Sequence, residues 1–309
     1  MLAQLVRRLG LMVFTVWGAV SLTFVILRLA PGDQATVQLG PDATAADVAA
    51  LREELGLNQP IFAQYLDYLR SAVTGDFGES YRFRESAMTV ILERFPATVL
   101  LAVTATVLAL TIGLVAGVVA GRSPGRPVDR AISGIALVMQ AIPSFWSGIM
   151  LILLVALTLR LLPSAGSGDL RHLVLPAITL SIPFTALVAR ITRSSVAEVT
   201  AEPYILTARS KGLSERAVLA RHAVRNSMIP VVTIVSLHIG TLLGGAVIVE
   251  QVFAWEGVGS LLVDAVGNRD YAIVQGATVL LAIVVVTMNL LADVVNSRLD
   301  PRIRAGVTS

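Results

Sequence analysis

Few side chains in this chain have the types and spacing that enzyme chemistry requires. The single lysine, Lys211, precedes Gly212, but the phosphate-binding pattern G-x-x-x-x-G-K-[ST] is absent. There is no cysteine, and the three histidines, His172, His222 and His238, are scattered along the sequence. These features argue against a thiol nucleophile, a disulfide framework and a histidine metal centre. We therefore expect no catalytic residue, no cofactor and no metal ligand in this chain.

One acidic residue, Asp169, lies in a short motif that is similar to a known catalytic motif. Asp169 ends Gly166-Ser167-Gly168-Asp169, which has the outline of an intramembrane aspartyl protease motif. That chemistry needs two carboxylates facing each other at membrane depth, whereas Asp169 lies in a Gly/Ser loop. The motifs HExxH and GxSxG are also absent. These features argue against a protease of these types.

The composition indicates an all-α integral membrane protein. Hydrophobic residues make up 55% of the 309, and the net charge is only +3, with a mean hydropathy of +0.77. Uncharged runs of 17 to 29 residues match the length that crosses a hydrocarbon core of about 30 Å. Six transmembrane helices are predicted, from the runs Leu9–Leu27, Ala97–Gly121, Ala131–Leu159, Leu173–Ala189, Met228–Val249 and Tyr271–Ala292.

Two of these runs need comment. Arg7 and Arg8 precede the first run and invite a twin-arginine signal interpretation, but the run is longer than a typical signal core and no small-residue cleavage site follows it. We therefore predict an uncleaved first helix. The fourth run is the shortest and is interrupted by Pro176 and Pro183, which neighbouring helices would have to accommodate.

Residues 31–95 are mainly polar and predict a small helical cap after the first span. Thr44-Ala45-Ala46-Asp47 resembles a capping box that opens one helix, with Gly56 as its stop. Asn58 is predicted to cap a second helix, and residues 75–78 to turn the chain. Residues 31–95 contain too few large apolar side chains to form a firm core of their own. We therefore expect these helices to pack on the membrane helices or on a partner.

Positive charge sets the expected orientation. Residues 1–8, 121–130, 190–228 and 297–309 hold 15 of the 24 Lys and Arg residues. Because cytoplasmic loops are enriched in these residues, both termini are predicted in the cytoplasm and residues 31–95 outside. The polar segment Glu202–Pro230 then lies inside, with Pro203 as the first residue of a short helix and Gly212 as its left-handed stop. Ser214 is predicted to cap a second helix that carries Glu215, Arg216, Arg221 and Arg225, before Pro230 opens the next run.

This polar segment resembles the cytoplasmic loop of permease subunits of ABC importers, in the dipeptide, oligopeptide and nickel branch. The family pattern is Tyr, two spacers and Thr-Ala-Arg-Ala-Lys-Gly-Leu, later His, two spacers, Arg-Asn and Pro. It covers about 27 residues here and departs at Ser210. The matching residues are Tyr204, Thr207, Ala208, Arg209, Lys211, Gly212, Leu213, His222, Arg225, Asn226 and Pro230. In that family this loop is the coupling helix that docks in a groove of a separate ATPase subunit; a simple positive-inside anchor is the alternative for Arg209 and Lys211.

Three other stretches resemble the same family, of the first-permease type. The cap matches in LREELGL, in Gln64-Tyr65 and in GDFGES. The loop after the fifth helix matches at Glu250, Phe253, Gly257 and Gly259, and the resemblance implies that it faces a binding protein; Glu256 stands where proline is usual. QAIPSFW, residues 140–146, is either a kinked pore-lining segment or a simple proline kink.

The predicted spans contain few polar groups. Asp, Glu, Lys and Arg are absent from their interiors, with Glu250 and Asp293 near ends, which argues against an ion-coupled transporter. Gln140, His238 and Asn289 are the polar exceptions; they either form interhelical hydrogen bonds or line a path, for which we consider Gln140, Pro143 and His238. Gly240–Gly245 fits small-residue helix packing.

The resemblance implies the permease subunit of an ATP-driven importer of di- or oligopeptides in the cytoplasmic membrane. Such a subunit pairs with a second, related permease, with two ATP-binding subunits and with an extracytoplasmic solute-binding protein, and binds no nucleic acid. ATP-driven closure of the two ATPase subunits would move the coupling helix, and the coupling helix would move helices four and five. The permease would thereby open alternately to the two sides of the membrane. Nickel-chelate import, an ion-coupled carrier and a membrane scaffold or insertase are the alternatives.

The expected organisation has four parts. Residues 1–30 form the cytoplasmic N-terminus and helix 1, and residues 31–95 form the extracytoplasmic cap. Residues 96–298 form the permease core with a coupling loop at 194–228, and residues 299–309 form a cytoplasmic tail.

Overall fold

The computed structural model describes residues 2–29, 34–40, 42–212, 214 and 224–299, without the side chains of 2–9, 206, 208–209, 225–226, 229, 236–237, 239, 243, 293 and 295–299. Helices dominate the described chain, and the two short strands form an antiparallel hairpin. The elements are α1 Leu2–Leu29, α2 Gln34–Leu39, α3 Ala45–Glu54, α4 Ile61–Thr74, β1 Glu79–Ser80, β2 Glu85–Ser86, α5 Ala87–Gly121, α6 Pro127–Ala141, α7 Ser144–Leu151 with a π-helix Ile152–Thr158, α8 Leu170–Thr200, α9 Pro203–Ser210, α10 Arg225–Phe253, α11 Val258–Asn268 and α12 Tyr271–Leu299.

The described helices can supply six membrane spans. Helices α1, α5, α8 and α12 are each long and apolar enough to cross a bilayer. Two further pairs pass the same test together, but each pair is bent: α6 with Ser144–Thr158 by 102°, and Pro230–Leu242 with Gly244–Phe253 by 51°. Counting each bent pair as one span gives the six that the sequence predicts.

The third predicted span, Ala131–Leu159, is not one continuous helix. Helix α6 ends at Ala141, and Ile142 is extended, with φ −80° and ψ 125°. Proline disfavours the helical conformation of the residue before it and has no N–H to donate, so the chain breaks at Ile142 and restarts after Pro143. The kink predicted for residues 140–146 is therefore confirmed.

The chain divides into two compact units, which we describe separately. The first comprises residues 1–98 and 256–287. Its core joins α1, α4, the start of α5, α11 and α12. The buried members are Val20, Phe24, Leu27, Tyr68, Phe77, Ala87, Val90, Ile91, Val258, Leu261, Ala265, Tyr271, Ile273, Val274, Ala277 and Val279.

Polar contacts fix the hairpin of the first unit to the turn before α12. The Ser80 hydroxyl bonds to the buried carboxylate of Asp270, which also accepts the Ile273 amide at 3.3 Å. The Tyr271 hydroxyl donates to the Leu27 carbonyl at 3.0 Å. These bonds satisfy groups that would otherwise be buried without partners.

The predicted cap helices are only partly as expected. The Thr44–Asp47 capping box opens α3 as predicted, and hydrogen bonds from Thr44 lower the pKa of Asp47. Helix α3 buries no residue, whereas α4 packs on α1, which confirms for α4 that the cap rests on a membrane helix. Asn58 does not cap α4: Pro60 is the N-cap and Ile61 the first helical residue, because the residue before a proline disfavours helix.

The second unit comprises residues 99–255 and 288–309, as far as these are described, and is centred on α8. Helices α6, α7 and α10 pack against α8. The fourth predicted run, though short and interrupted by Pro176 and Pro183, lies within this 31-residue helix. Both prolines lie inside α8, a position that is tolerated in a membrane span when neighbouring groups satisfy the freed carbonyls.

Glycines allow α5 to approach α8 closely. A Cβ atom at Gly117 would lie 2.5 Å from Thr192 Cβ and 2.6 Å from the Ala189 carbonyl oxygen, and Gly113 and Gly121 are similarly close to α8. The predicted packing at Gly240–Gly245 is only partly found, because a Cβ at Gly245 would meet Leu180 at 3.3 Å but one at Gly244 would have no neighbour within 4 Å. Among the described residues, close packing is therefore found at Gly245 and not at Gly244.

Candidate functional site

The short helix α9 is the element that the sequence predicts to couple with another subunit. It begins at Pro203 and ends at Ser210, a little more than two turns, as predicted. Gly212 has a φ of +80°, which confirms its left-handed stop. The Lys211 amide donates to the Thr207 carbonyl at 3.1 Å, and the Thr207 hydroxyl to the Pro203 carbonyl at 3.2 Å. A helix this short is unstable alone, so it needs a tertiary anchor.

Ile205 supplies that anchor. Its side chain is fully buried, whereas the residue before it, Tyr204, is 42% exposed. Lys211 and Gly212 are also exposed. One face of α9 is therefore fixed to the protein while an aromatic ring and a cationic end remain accessible for contact.

Part of the predicted coupling loop lies outside the described residues. This applies to Leu213 and residues 215–223, which include the predicted second helix and His222, and to the side chains of Ala208, Arg209, Arg225 and Asn226. Pro230 does not open α10, because that helix begins at Arg225 and contains Pro230 internally.

The structure brings two of the three predicted pathway residues to one cavity in the second unit. Gln140 and His238 both line a cavity of about 200 Å³, together with Ser144, Leu180, Pro183, Phe184, Leu187, Thr241, Leu242 and Gly245. The His238 ring stacks on Phe184, with centroids 6.2 Å apart and planes 8° apart. Its Nδ1 atom is buried without a hydrogen-bond partner in the described structure.

Pro143 does not line this cavity but shapes it. It is the N-cap of α7 and causes the bend that places Gln140 and Ser144 on either side of the break. Gln140 also lines a smaller cavity of about 150 Å³, between α6 and α8, near Arg190 and Arg193. Asn289 is exposed and does not line either cavity.

An ion pair beside the smaller cavity was missed from the sequence. Arg193 donates two hydrogen bonds of 2.8 Å to the buried carboxylate of Asp129, which also accepts the Gly125 amide and the Ser133 hydroxyl. The pair fastens the start of α6 to α8. Asp129 is the single acidic residue in the basic stretch 121–130, and this was the sequence feature that could have indicated an ion pair.

The predicted binding-protein loop is more buried than exposed. Glu250, Phe253, Gly257 and Gly259 are all buried, while Ala254 and Glu256 are exposed. The four predicted residues therefore shape the loop, and a contact between this loop and a binding protein stays a prediction.

Glu256, which replaces the usual proline, has a partner in the first unit. Its carboxylate pairs with the Arg94 guanidinium at 2.6 Å. The Val258 amide, which begins α11, donates to the Thr98 hydroxyl at 2.8 Å. The turn is thus held to the start of α5 without proline.

Asp169 has a structural role. It is the N-cap of α8 and forms a capping box with His172. The hydrogen bond with His172 lowers the pKa of Asp169. Among the described residues no group of three or more His, Cys, Asp or Glu side chains could hold a metal ion.

Comparison with known families identifies the chain. Residues 113–305 match the family described as the binding-protein-dependent transport system inner membrane component, and residues 1–102 match its N-terminal region. The chain belongs to this family. It is a multi-pass membrane protein of an ABC permease family, as the resemblance predicted.

Individual permeases are similar over nearly their whole length. The di/tripeptide transport system permease protein DppB of Pseudomonas aeruginosa is 39% identical, with 98% of this chain and 99% of that protein aligned. The oligopeptide transport system permease protein AppB of Bacillus subtilis is 38% identical with the same coverage. The glutathione transport system permease protein GsiC of Escherichia coli K12 is 39% identical, also with the same coverage.

Solved structures agree on the fold. A chain of the MetNI methionine ABC transporter, in an inward-facing conformation, aligns with a TM-score of 0.58 at 18% identity, covering 69% of this chain and 97% of that chain. A chain of an amino acid ABC transporter with histidines aligns with a TM-score of 0.54 at 15% identity, covering 68% and 94%. The permease thus has the fold of a type I ABC importer membrane subunit.

Proposed function

We propose that this permease is the membrane subunit of an ATP-driven importer of di- or oligopeptides. The observation that carries the proposal is similarity over 98% of the chain to permeases named for di/tripeptide and oligopeptide transport. Permeases named for glutathione, itself a peptide, are similar to the same extent.

In this proposal both termini and α9 lie in the cytoplasm, and residues 31–95 lie on the outer side of the cytoplasmic membrane. The excess of Lys and Arg in residues 1–8, 121–130, 190–228 and 297–309 supports this orientation. Two ATP-binding subunits would supply the nucleotide chemistry, since the sequence contains no phosphate-binding loop.

Helix α9 would transmit the motion of an ATPase. Its exposed Tyr204 and Lys211 would enter the ATPase surface, while the buried Ile205 fixes the helix to the permease. A displacement of α9 by the ATPase would then move α8, because α8 ends only three residues before α9 begins. The coupling requires that the two conformations of the permease bind the ATPase with different affinity.

The cavity lined by Gln140 and His238 would belong to the translocation pathway. Amide and imidazole groups can exchange hydrogen bonds with a peptide backbone. The second, related permease would complete the pathway, with a solute-binding protein to deliver the peptide.

Reconstitution of the complete transporter tests the proposal. Proteoliposomes containing both permeases, both ATPases and the binding protein should accumulate a labelled dipeptide only with ATP, and the peptide should stimulate ATP hydrolysis. Uptake by this chain alone would instead indicate an ion-coupled carrier. Stimulation of ATP hydrolysis by nickel chelates but not by peptides would identify a nickel-chelate importer.

Variants of the α9 stop test the coupling role. Gly212→Pro cannot adopt the φ of +80°, and Ala208→Glu adds a charge to α9; both should keep membrane insertion but lose peptide-stimulated ATP hydrolysis. Gly40→Pro is the matched control, because Gly40 has a φ of +83° and, like Gly212, no atom of a described residue within 4 Å of an added Cβ. Normal uptake by both α9 variants would contradict the coupling role.

A further inference from the structure

Helix α4 has an apolar arc that is wider than the surface it buries. Tyr65, Tyr68 and Ala72 face the core of the first unit, and Tyr68 is only 4% exposed. On the adjoining arc, at spacings of four and seven residues, lie Phe62, Leu66 and Val73. These three are 68%, 48% and 88% exposed.

The remaining arc of the same helix is polar. Gln64, Asp67 and Ser71 line a cleft of about 710 Å³ in the first unit. Arg70 is exposed between this polar arc and the exposed apolar arc. Helix α4 therefore has a buried side, a side toward a polar cleft and an apolar side that is exposed in the part of the chain that the structure describes.

Contacts with α1 set the level of α4 relative to a membrane. The Tyr65 hydroxyl lies 2.7 Å from the Ser21 hydroxyl, and the Tyr65 and Tyr68 rings lie 5.3 and 6.1 Å from the Phe24 ring. Ser21 lies in Gly10–Leu29, the part of α1 that is long and apolar enough to cross a membrane, seven residues before Arg28. At 1.5 Å per residue, Ser21 is about 10 Å from Arg28 along the helix axis.

Arg28 indicates where this span meets the aqueous boundary. It is the only charged residue in Gly10–Leu29, and its guanidinium carbon lies 5.5 Å from the centroid of the Phe24 ring. Long basic side chains near the end of a span extend toward the membrane surface. Tyr65 therefore reaches α1 at a level inside the hydrocarbon region, and the backbone of α4 lies within one side-chain length of that level.

We propose that α4 is an interfacial helix, and that Phe62, Leu66 and Val73 bind the acyl chains of lipids in the leaflet at the C-terminal end of α1. A helix with one apolar and one polar arc is stable at this depth, since its apolar side chains enter the acyl region while its polar ones stay hydrated. Apolar side chains that are exposed at this depth contact acyl chains and not water, so their exposure carries no hydrophobic penalty. The proposal needs only that α1 spans the bilayer, and so does not depend on the solute or on the ATPase.

Site-directed fluorescence tests this assignment. The chain has no cysteine, so Phe62→Cys, Leu66→Cys and Val73→Cys each give one labelling site for an environment-sensitive fluorophore. The full chain is reconstituted in liposomes containing lipids with a nitroxide on the acyl chain, and measured again in the complete transporter with unlabelled partners. We expect blue-shifted emission and loss of fluorescence to the nitroxide lipid at all three positions, with little quenching by aqueous iodide.

Two controls calibrate the measurement. Arg70→Cys, on the same helix, should be quenched by iodide and not by the nitroxide lipid, and Val25→Cys, on the exposed side of α1, should show the lipid pattern. Iodide quenching at positions 62, 66 and 73 would overturn the proposal in favour of a hydrated surface. Shielding from both quenchers, in either preparation, would overturn it in favour of a protein partner.

Discussion

Substitution of Gly117 by alanine should measure how tightly α5 is packed on α8. The added methyl group would lie 2.5 Å from Thr192 Cβ and 2.6 Å from the Ala189 carbonyl oxygen. Carbon atoms in contact lie about 3.5 Å or more apart, so the helices must separate by roughly 1 Å. Such overpacking costs about 1 to 3 kcal/mol.

A matched control removes the effect of helix propensity. Replacing glycine by alanine inside a helix is favourable by about 1 kcal/mol in itself. Gly134 lies in α6 of the same unit, is exposed, and has no atom within 4 Å of an added Cβ. The difference between Gly117→Ala and Gly134→Ala therefore isolates the packing cost of about 1 to 3 kcal/mol.

Thermal unfolding of the purified chain in one detergent is the assay. At about 2 to 4 °C per kcal/mol, Gly117→Ala should unfold roughly 2 to 12 °C below Gly134→Ala. Gly113→Ala should fall between them, since its nearest contact is 2.8 Å. Equal midpoints for Gly117→Ala and Gly134→Ala would refute the close approach of α5 and α8.

Two further predictions concern ion pairs that differ in burial. Asp129→Asn should lower the free energy of unfolding by about 1 to 3 kcal/mol, because Arg193 loses two charged hydrogen bonds; a double-mutant cycle with Arg193→Gln measures the coupling, and additive effects would contradict it. Glu256→Gln should lower it by no more than about 1 kcal/mol, with a smaller effect at high salt, because both side chains of the Arg94–Glu256 pair are partly exposed. A larger loss that persists in salt would show that the turn before α11 depends on Glu256.

The sequence predicts well those features that short segments determine. Runs of uncharged residues predict the spans because a bilayer fixes their length. Pro203 and Gly212 predict the bounds of α9, and Thr44 with Asp47 predicts the start of α3, because caps act within a few residues. Local rules also explain the error at Asn58, where Pro60 determines the start of α4.

Features that join distant parts of the chain were not predictable in this way. Asp129 and Arg193 are 64 residues apart, and neither residue alone indicates a partner. Glycines occur at helical spacing in two places, and the sequence does not show that Gly117 meets a neighbouring helix while Gly244 has open space. The cavity shared by Gln140 and His238 likewise joins residues that are far apart in the sequence, beside a bend of 102°.

The central claim is that α9 contacts an ATPase subunit in the cytoplasm. Cysteine cross-linking tests it most directly, because the chain has no cysteine of its own and Lys211 is exposed at the end of α9. In inside-out membrane vesicles of the complete transporter, Lys211→Cys carrying a photoactivatable group should be labelled from the exposed cytoplasmic side and should cross-link to an ATP-binding subunit, with a yield that changes when ATP is added. Labelling only from the opposite side of the membrane, or no cross-link to an ATP-binding subunit, would contradict the account.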